Sequence, residues 1–407
     1  MSQAATLHIC LISAQILPNL IPVLSDENVS GVISFSGDGR EQKQRSTFET
    51  ILNKNNIEII KKVRSKSSYE IDVITTAAET LKAWLQKNEE DKIWKINLTG
   101  GTKPMSIAMH NVFKDEDKAE LIYQDSQSKR ILNLYTPEKT EDNKSVLDLP
   151  TYLSAQKFRI QSSSLGDQDY IDHIADRRWV IEKVFMRNAQ NIGNILKVLN
   201  ATGSSVEENQ EATLKQSFYK DKLNRGNERP LQALEDANFF TLNRDKGEII
   251  FTDYEAARFL SGGWLEEYAY WCAVDAGIEH IALNVEGYWE DNDTDEPAYN
   301  EFDVVLCHHN QLRVIECKAS AFHDKGKGQE IVNKIETLGG KAGGLFGSSL
   351  LLATARIDTE KNSKHIARRL KTYRTELIEH SDLPNLTGKL IEWKNRCLPK
   401  SLKETTK

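Results

Sequence analysis

The chain reads as an α/β protein of more than one domain, on three observations. Segments of strand and helix period alternate along its first third, the same two periods return in a different order near the C-terminal end, and a less patterned stretch separates them. At 407 residues it is long for one core, and domains of about 100–200 residues give two or three units. The expected boundaries are 1–155, 156–259 and 260–407.

In 1–155, Leu7–Ile12, Val32–Phe35, Ile93–Leu98, Leu121–Tyr123 and Ile131–Tyr135 read as buried strands, with helices at Gln15–Leu24, Ser46–Asn53, Glu70–Lys87 and Met105–Phe113. This alternation predicts a doubly wound, largely parallel sheet, whose ligands sit beyond the carboxyl ends of the strands. Ser13, Ala14 and Gln15 follow the first strand and Thr99–Lys103 follow a later one, so both can line one crevice; helix capping is the competing role for Ser13 and Gln15. The later segment, INLTGGTKPMS over Ile96–Ser106, places Thr99, Gly100, Gly101, Thr102 and Lys103 in a turn before a helix that opens with Pro104 and Met105. A glycine turn feeding a helix N-terminus leaves backbone amides free for an anionic group, and Lys103 and the two threonines add charge and hydrogen bonds. The loop lacks the G-x-x-x-x-G-K-[ST] pattern, so simple ATP hydrolysis is not indicated, and Ser36-Gly37-Asp38-Gly39 lacks the third glycine of a dinucleotide fingerprint.

The C-terminal unit carries a second cluster, NEFDVVLCHHNQLRVIECKA over Asn300–Ala319. Phe302–Cys307 and Leu312–Lys318 read as apolar strands around the hairpin-like break His308, His309, Asn310. With a side-chain period of two, Glu316 and Lys318 emerge from one face and Cys317 from the other, and Asp303 reaches the Glu316 face from the partner strand. Asp303 and Glu316 offer hard oxygen ligands for magnesium or manganese, the Cys317 carbonyl can add a third, and Lys318 can position a water or neutralise phosphate charge. The other reading is a solvated strand face. Gly263–Val274 reads as a helix before these strands, Ile281–Tyr288 as a strand, Gly328–Leu338 as a second helix and Ser349–Thr354 as a further strand. Helix, three strands, helix, strand is the order of a restriction-endonuclease-like core, in which the first helix packs beside the metal strands. That makes Glu266 the preferred extra acid, with Glu267, Glu290 and Glu301 as substitutes.

Asp303, Glu316 and Lys318 resemble the PD-(D/E)xK signature, GGWLEEY at Gly262–Tyr268 resembles the helix that precedes it, and INLTGGTKPMS resembles the signature loop of CARF domains. The chain is thus similar to the CRISPR ancillary nucleases that pair a CARF sensor with a restriction-like effector. The resemblance implies an N-terminal Rossmann-like CARF domain and a C-terminal αβββαβ nuclease domain. It further implies activation by a cyclic oligoadenylate, cyclic tetra-adenylate first, in type III CRISPR defence, and cutting of nucleic acid, RNA and/or DNA, including nicking of supercoiled DNA. A ring with rotational symmetry is most simply read by two copies of the Lys103 loop, so a homodimer is expected. A ligand-responsive transcription regulator that binds DNA without cutting it is one rival reading, and a nucleotide-metabolising enzyme whose sensor domain degrades its own ligand is another.

The formal net charge of −7 argues against a protein that coats DNA by electrostatics alone, but a bound cation can supply local positive field. Basic residues gather at Lys325, Lys327, Lys334 and Lys341, then at Lys361, Lys364, Arg368, Arg369, Lys371 and Arg374, where phosphate contact competes with a solvated face. The five cysteines are scattered with no C-x-x-C pair for zinc. No signal peptide or membrane-length apolar run is present, so a cytoplasmic protein is expected. Between the domains, helical stretches followed by Phe239–Leu242, a turn and Glu248–Phe251 can form a winged-helix-like element or an inert connector.

Overall fold

The computed structural model describes residues 4–37, 41–186, 193–218, 228–290, 298–319, 335, 341–354, 368, 370, 375–379 and 382–404. The helix expected at Gly328–Leu338 lies outside these apart from Ile335, as do all the basic residues singled out above except Lys341 and Arg368.

The first sheet contains β1 (Thr6–Leu11), β2 (Val29–Ser36), β3 (Ile59–Arg64), β4 (Ile93–Asn97), β5 (Ala119–Asp125), β6 (Arg130–Asn133) and β7 (Glu141–Asp142), in the order β3-β2-β1-β4-β5-β6-β7. The first five strands are parallel and the last two antiparallel. Helices α1 (Leu17–Ser25), α2 (Gln42–Lys54), α3 (Ile71–Asn88) and α4 (Lys103–Phe113) connect them. The alternation in β1 shows why both faces are covered. Leu7, Ile9 and Leu11 pack with α3 and α4, whereas Cys10 packs with α1 and α2. The order reverses between β1 and β4, and the crevice beyond this switch point is bordered by the residues after Leu11 and after Asn97, as expected.

Helix α5 (Leu149–Ala155) leads into β8 (Phe158–Ser162), which pairs with a strand more than a hundred residues later. The middle of the chain then forms α6 (Gln168–Val180), extended by a π-helical turn at Ile181–Met186, and α7 (Gly193–Gly203). Next come β9 (Lys215–Ser217), α8 (Glu228–Asp236), β10 (Phe240–Asn243) and β11 (Glu248–Phe251), the strands forming an antiparallel sheet in the order β10-β11-β9. Helix α9 (Tyr254–Arg258) passes through a π-helical turn at Phe259–Gly263 into α10 (Trp264–Asp275).

The second sheet comprises β8, β12 (His280–Trp289), β13 (Ala298–His308), β14 (Gln311–Lys318), β15 (Gly347–Ala353) and β16 (Glu376–Glu379), ordered β16-β15-β14-β13-β12-β8. Pairing is antiparallel from β8 to β14 and parallel from β14 to β16. One face packs on α10 and α11 (Leu386–Cys397), and the short α12 (Lys400–Glu404) follows. Ala282, Val285, Phe302, Val305 and Leu312 on the other face share a buried cluster with Ile12, Leu17, Leu20 and Tyr152 of the first domain. The hairpin between β13 and β14 turns at His309 (φ 47°) and Asn310 (φ 61°), two positive φ values that match the twist of the strands. Asn310 is fully buried, accepts the N–H groups of Val146 and Leu147 at 2.9 and 3.0 Å, and donates to the Lys144 carbonyl at 2.6 Å. No described helix is long and apolar enough to cross a membrane.

Candidate functional site

The expected acidic residues meet where β13, β14 and α10 come together. Asp303 and Glu316 are 6% and 2% exposed. Asp303 Oδ2 accepts the Cys317 N–H at 2.6 Å, which ties its carboxylate to β14, and Lys318 Nζ lies 2.7 Å from Glu316 Oε1. Cys317 points the other way, into the apolar core against the Leu265 carbonyl, and burial drives its thiol pKa well up, so the thiol is a core group. Burial disfavours charge on Lys318, but Glu316 and Asp303 outweigh it and hold the ammonium above its ordinary pKa.

Helix α10 settles which glutamate faces this cluster. Trp264, Leu265, Tyr268, Ala269, Cys272 and Ala273 bury one broad face, and Glu267 goes inward with them. There Arg177 binds it, Nε donating to Oε2 at 3.0 Å and Nη2 to Oε1. Glu266 instead feels Asp303: burial first and that neighbouring carboxylate second push its pKa up to about 8, with Arg258 and Lys318 opposing. Of the other substitutes, Glu290 pairs with Arg159 at 3.7 Å and Glu301 is exposed.

Sequence reasoning passed over Asn284. It stands opposite Asp303 between the pairs Leu283↔Val304 and Val285↔Phe302, and its φ of 50° sends Leu283 and Val285 to opposite faces of the sheet. Asparagine's tolerance of the left-handed region was the available signal. Asp303, Glu316 and Glu266 put three carboxyl groups near the Lys318 ammonium in a largely buried place, and the raised pKa of Glu266 reflects that burial first and Asp303 second. Such oxygen donors suit a hard divalent cation. Among the described residues, however, no three His, Cys, Asp or Glu side chains close into a ready metal cage.

In the first domain the TGGTK loop begins one position earlier into its helix than expected: Lys103 is the first residue of α4 and Thr102 is its N-cap, accepting the Met105 N–H at 3.4 Å. The glycines are sterically required. A Cβ at Gly100 would lie 2.1 Å from the Leu11 carbonyl oxygen, and Gly101 has φ +74°. Both threonine hydroxyls are committed to the loop itself: Thr99 donates to Asn97 Oδ1 and accepts the Gln124 N–H, each at 2.6 Å, while Thr102 donates to the Ser68 carbonyl. Lys103 is exposed and makes no ion pair among the described residues. Ser13 Oγ donates to the Gln15 carbonyl at 3.4 Å. Neither Ser13 nor Gln15 caps α1, whose N-cap is Ile16 without a side-chain bond. Gln15 sits beside the second domain, its Oε1 2.7 Å from where a Cβ on Gly344 would be.

The sequence matches the family model "Card1 CARF domain" over residues 7–152 and the model "Card1-like, endonuclease domain" over 253–397. A search among curated proteins returns no match. Among solved structures, the chain is similar to protein VC1899 from Vibrio cholerae, with 21% identity, TM-score 0.78 and coverage of 97% of this chain and 99% of that one. It is also similar to Can2 from Sulfobacillus thermosulfidooxidans in complex with cyclic tetra-adenylate, with 23% identity, TM-score 0.73 and coverage of 95% and 97%. A type III CRISPR defence DNA nuclease activated by cyclic oligoadenylate follows at 14% identity and TM-score 0.50, matching 87% of this chain and 46% of that one. The first match covers the crevice domain and the second the carboxylate cluster, and the chain therefore joins a CARF domain of the Card1 family to a Card1-like endonuclease domain.

Proposed function

We propose that this protein is a metal-dependent endonuclease of type III CRISPR defence, activated by cyclic tetra-adenylate and cutting single-stranded RNA and/or DNA, with nicking of supercoiled DNA included. The observation that carries this is the convergence of Glu266, Asp303, Glu316 and Lys318 inside the segment matched to the endonuclease family. Asp303, Glu316 and the Cys317 carbonyl would hold manganese or magnesium, which when bound polarises a phosphate and lowers the pKa of a water. Lys318, fixed by Glu316, orients the attacking oxygen and offsets phosphate charge, and Glu266 is placed to hold or release a proton near neutral pH.

In the sensor, residues 1–155, the Thr99–Lys103 loop receives the ring phosphates at the helix N-terminus, with Lys103 as the cation and Ser13 and Gln15 on the opposite wall. A homodimer presents two such loops. Exposed apolar residues support it: Ile107 on α4 and Tyr123 on β5 are 50% and 42% exposed, and Leu134 and Tyr135, just after β6, are 43% and 55% exposed. Residues 156–259 connect sensor and effector, and 260–407 carry the nuclease. The ligand acts by binding one arrangement of the two effector domains better than another. The test is to incubate labelled RNA and plasmid DNA with each divalent metal, with and without cyclic tri-, tetra- and hexa-adenylate. Cutting that needs both a metal and the tetra-adenylate is the expected result; duplex binding without cleavage in manganese would select the regulator instead.

A further inference from the structure

Two arginines and two glutamates surround the start of α10, and the fold uses them unequally. Arg177 and Glu267 neutralise each other in the core, the guanidinium also lying 4.7 Å from the centroid of the Phe259 ring. Arg258 and Glu266 form no such pair. Glu266 is the strongest charge acting on Arg258, yet no ion pair within 4 Å joins them, and the half-buried Arg258 side chain makes no hydrogen bond to any described residue. A half-buried guanidinium without a partner is costly unless something else fills its donors. Arg258 is the last residue of α9, just before the π-helical turn that re-aims the chain into α10, and single π turns of this kind accompany functional sites.

A second observation comes from the sheet. Asn284, opposite Asp303, donates its amide to the Tyr170 hydroxyl at 3.2 Å, and its Oδ1 is buried with no partner. Tyr170 lies within electrostatic reach of Arg258. Arg258, Tyr170 and Asn284 thus form an arc beside Glu266 and Asp303, with an unfilled donor fork at one end and an unfilled amide atom at the other.

We propose that this arc is a phosphate subsite, in which the Arg258 guanidinium grips the phosphodiester next to the scissile one and Asn284, positioned by Tyr170, meets the adjoining sugar or its water. It rests on the nuclease reading above and specifies how the substrate strand is seated. The planar fork of arginine matches two non-bridging phosphate oxygens at once, which a lysine ammonium does not. The subsite also places a cation at the strand in a chain whose net charge is −7.

The test separates binding from cutting. In an Asp303→Asn background with cyclic tetra-adenylate, binding of short fluorescein-labelled single-stranded DNA and RNA is read by anisotropy. Arg258→Gln and Arg258→Lys should each weaken it about ten- to a hundredfold, the range for losing a charged hydrogen-bonded pair. Oligonucleotides with one neutral methylphosphonate, moved along the strand, should bind the Asp303→Asn protein poorly at one position and bind the Arg258→Gln double variant with no further loss at that position. A purely structural arginine would leave that position-dependent profile unchanged, and an unchanged profile, or wild-type binding by Arg258→Gln, overturns the proposal. Failure of the nuclease reading is distinguishable: the unaltered protein with manganese and cyclic tetra-adenylate would then cut neither DNA nor RNA, whatever the methylphosphonate profile.

Discussion

Exchanging each of the two adjacent glutamates for glutamine should separate stability from catalysis along α10. Glu267 and Arg177 are buried, with side chains 4% and 11% exposed. Glu267→Gln leaves the guanidinium charged in the core, and breaking a buried pair in this way costs about 3–5 kcal/mol. In a cooperative unit of about 150–250 residues each kcal/mol lowers Tm by about 2–4 °C, so a fall of about 6–20 °C is expected. Glu266→Gln has the opposite profile. It removes a carboxyl whose ionisation is opposed by burial and by Asp303, so the fold keeps or gains stability. Cutting should drop about 10²–10⁴-fold, the usual worth of a positioned acid or base. Tm is measured by fluorescence near neutral pH, and cleavage of a labelled oligonucleotide, with cyclic tetra-adenylate and manganese, at a temperature where both variants are folded. A Glu267→Gln protein that is folded but inactive, or a Glu266→Gln protein that melts as early as Glu267→Gln, would refute the assignment.

Other variants probe the remaining parts. Asp303→Ala or Glu316→Ala should abolish cutting while leaving ligand affinity nearly intact by calorimetry, whereas Lys103→Ala should lose affinity for cyclic tetra-adenylate with Tm unchanged, because the side chain is exposed. Asn310→Ala strips three hydrogen bonds from the segment Lys144–Leu147 and should destabilise by about 1–3 kcal/mol for each buried group left unsatisfied, measured by urea unfolding. Burial lowers the pKa values of His308 and His309, with Glu279 opposing, so below about pH 6.5 the unfolded chain binds more protons than the folded one. Stability should therefore fall as pH drops from about 6.5 towards 5, and a His308→Gln, His309→Gln double variant should show a shallower slope.

The parts of the fold legible in the sequence are those buried on both sides. LHICL, IWKIN and VVLC carry dense apolar signals because helices or a second domain cover each face. Strand β3, IIKKVR, escaped notice because it is an edge strand whose lysines blunt it, and β8 because its partner β12 lies far along the chain. The Asp303, Glu316 and Lys318 geometry followed from strand parity and one hairpin turn, both local properties. The division of labour between Glu266 and Glu267 was not local: it depends on Arg177, ninety residues earlier. Gln15 shows the same limit, since its surroundings at Gly344 and Gln156 are set by how the two domains meet.

That meeting bears on how a sensor could control a nuclease in this chain. A buried cluster runs from Ile12, Ile16 and Leu17, next to the crevice, through Tyr152 and Phe158 to Val285, Phe302, Val314 and Phe346 of the second sheet. The Tyr152 hydroxyl donates to the Gly343 carbonyl at 2.7 Å, and Gly343 precedes β15, which pairs directly with the Glu316–Lys318 end of β14. Interiors packed to this density do not deform continuously; they exchange one arrangement for another. A ligand that moves the first turn of α1 must therefore either repack this shared core or turn both domains together as one body. The second course leaves the carboxylate cluster internally unchanged and alters what lies in front of it. The Cys317 N–H bond to Asp303 at 2.6 Å fixes that carboxylate to the backbone of β14, so on the proposed reading a ligand would act on what lies in front of the carboxylates rather than on this bond.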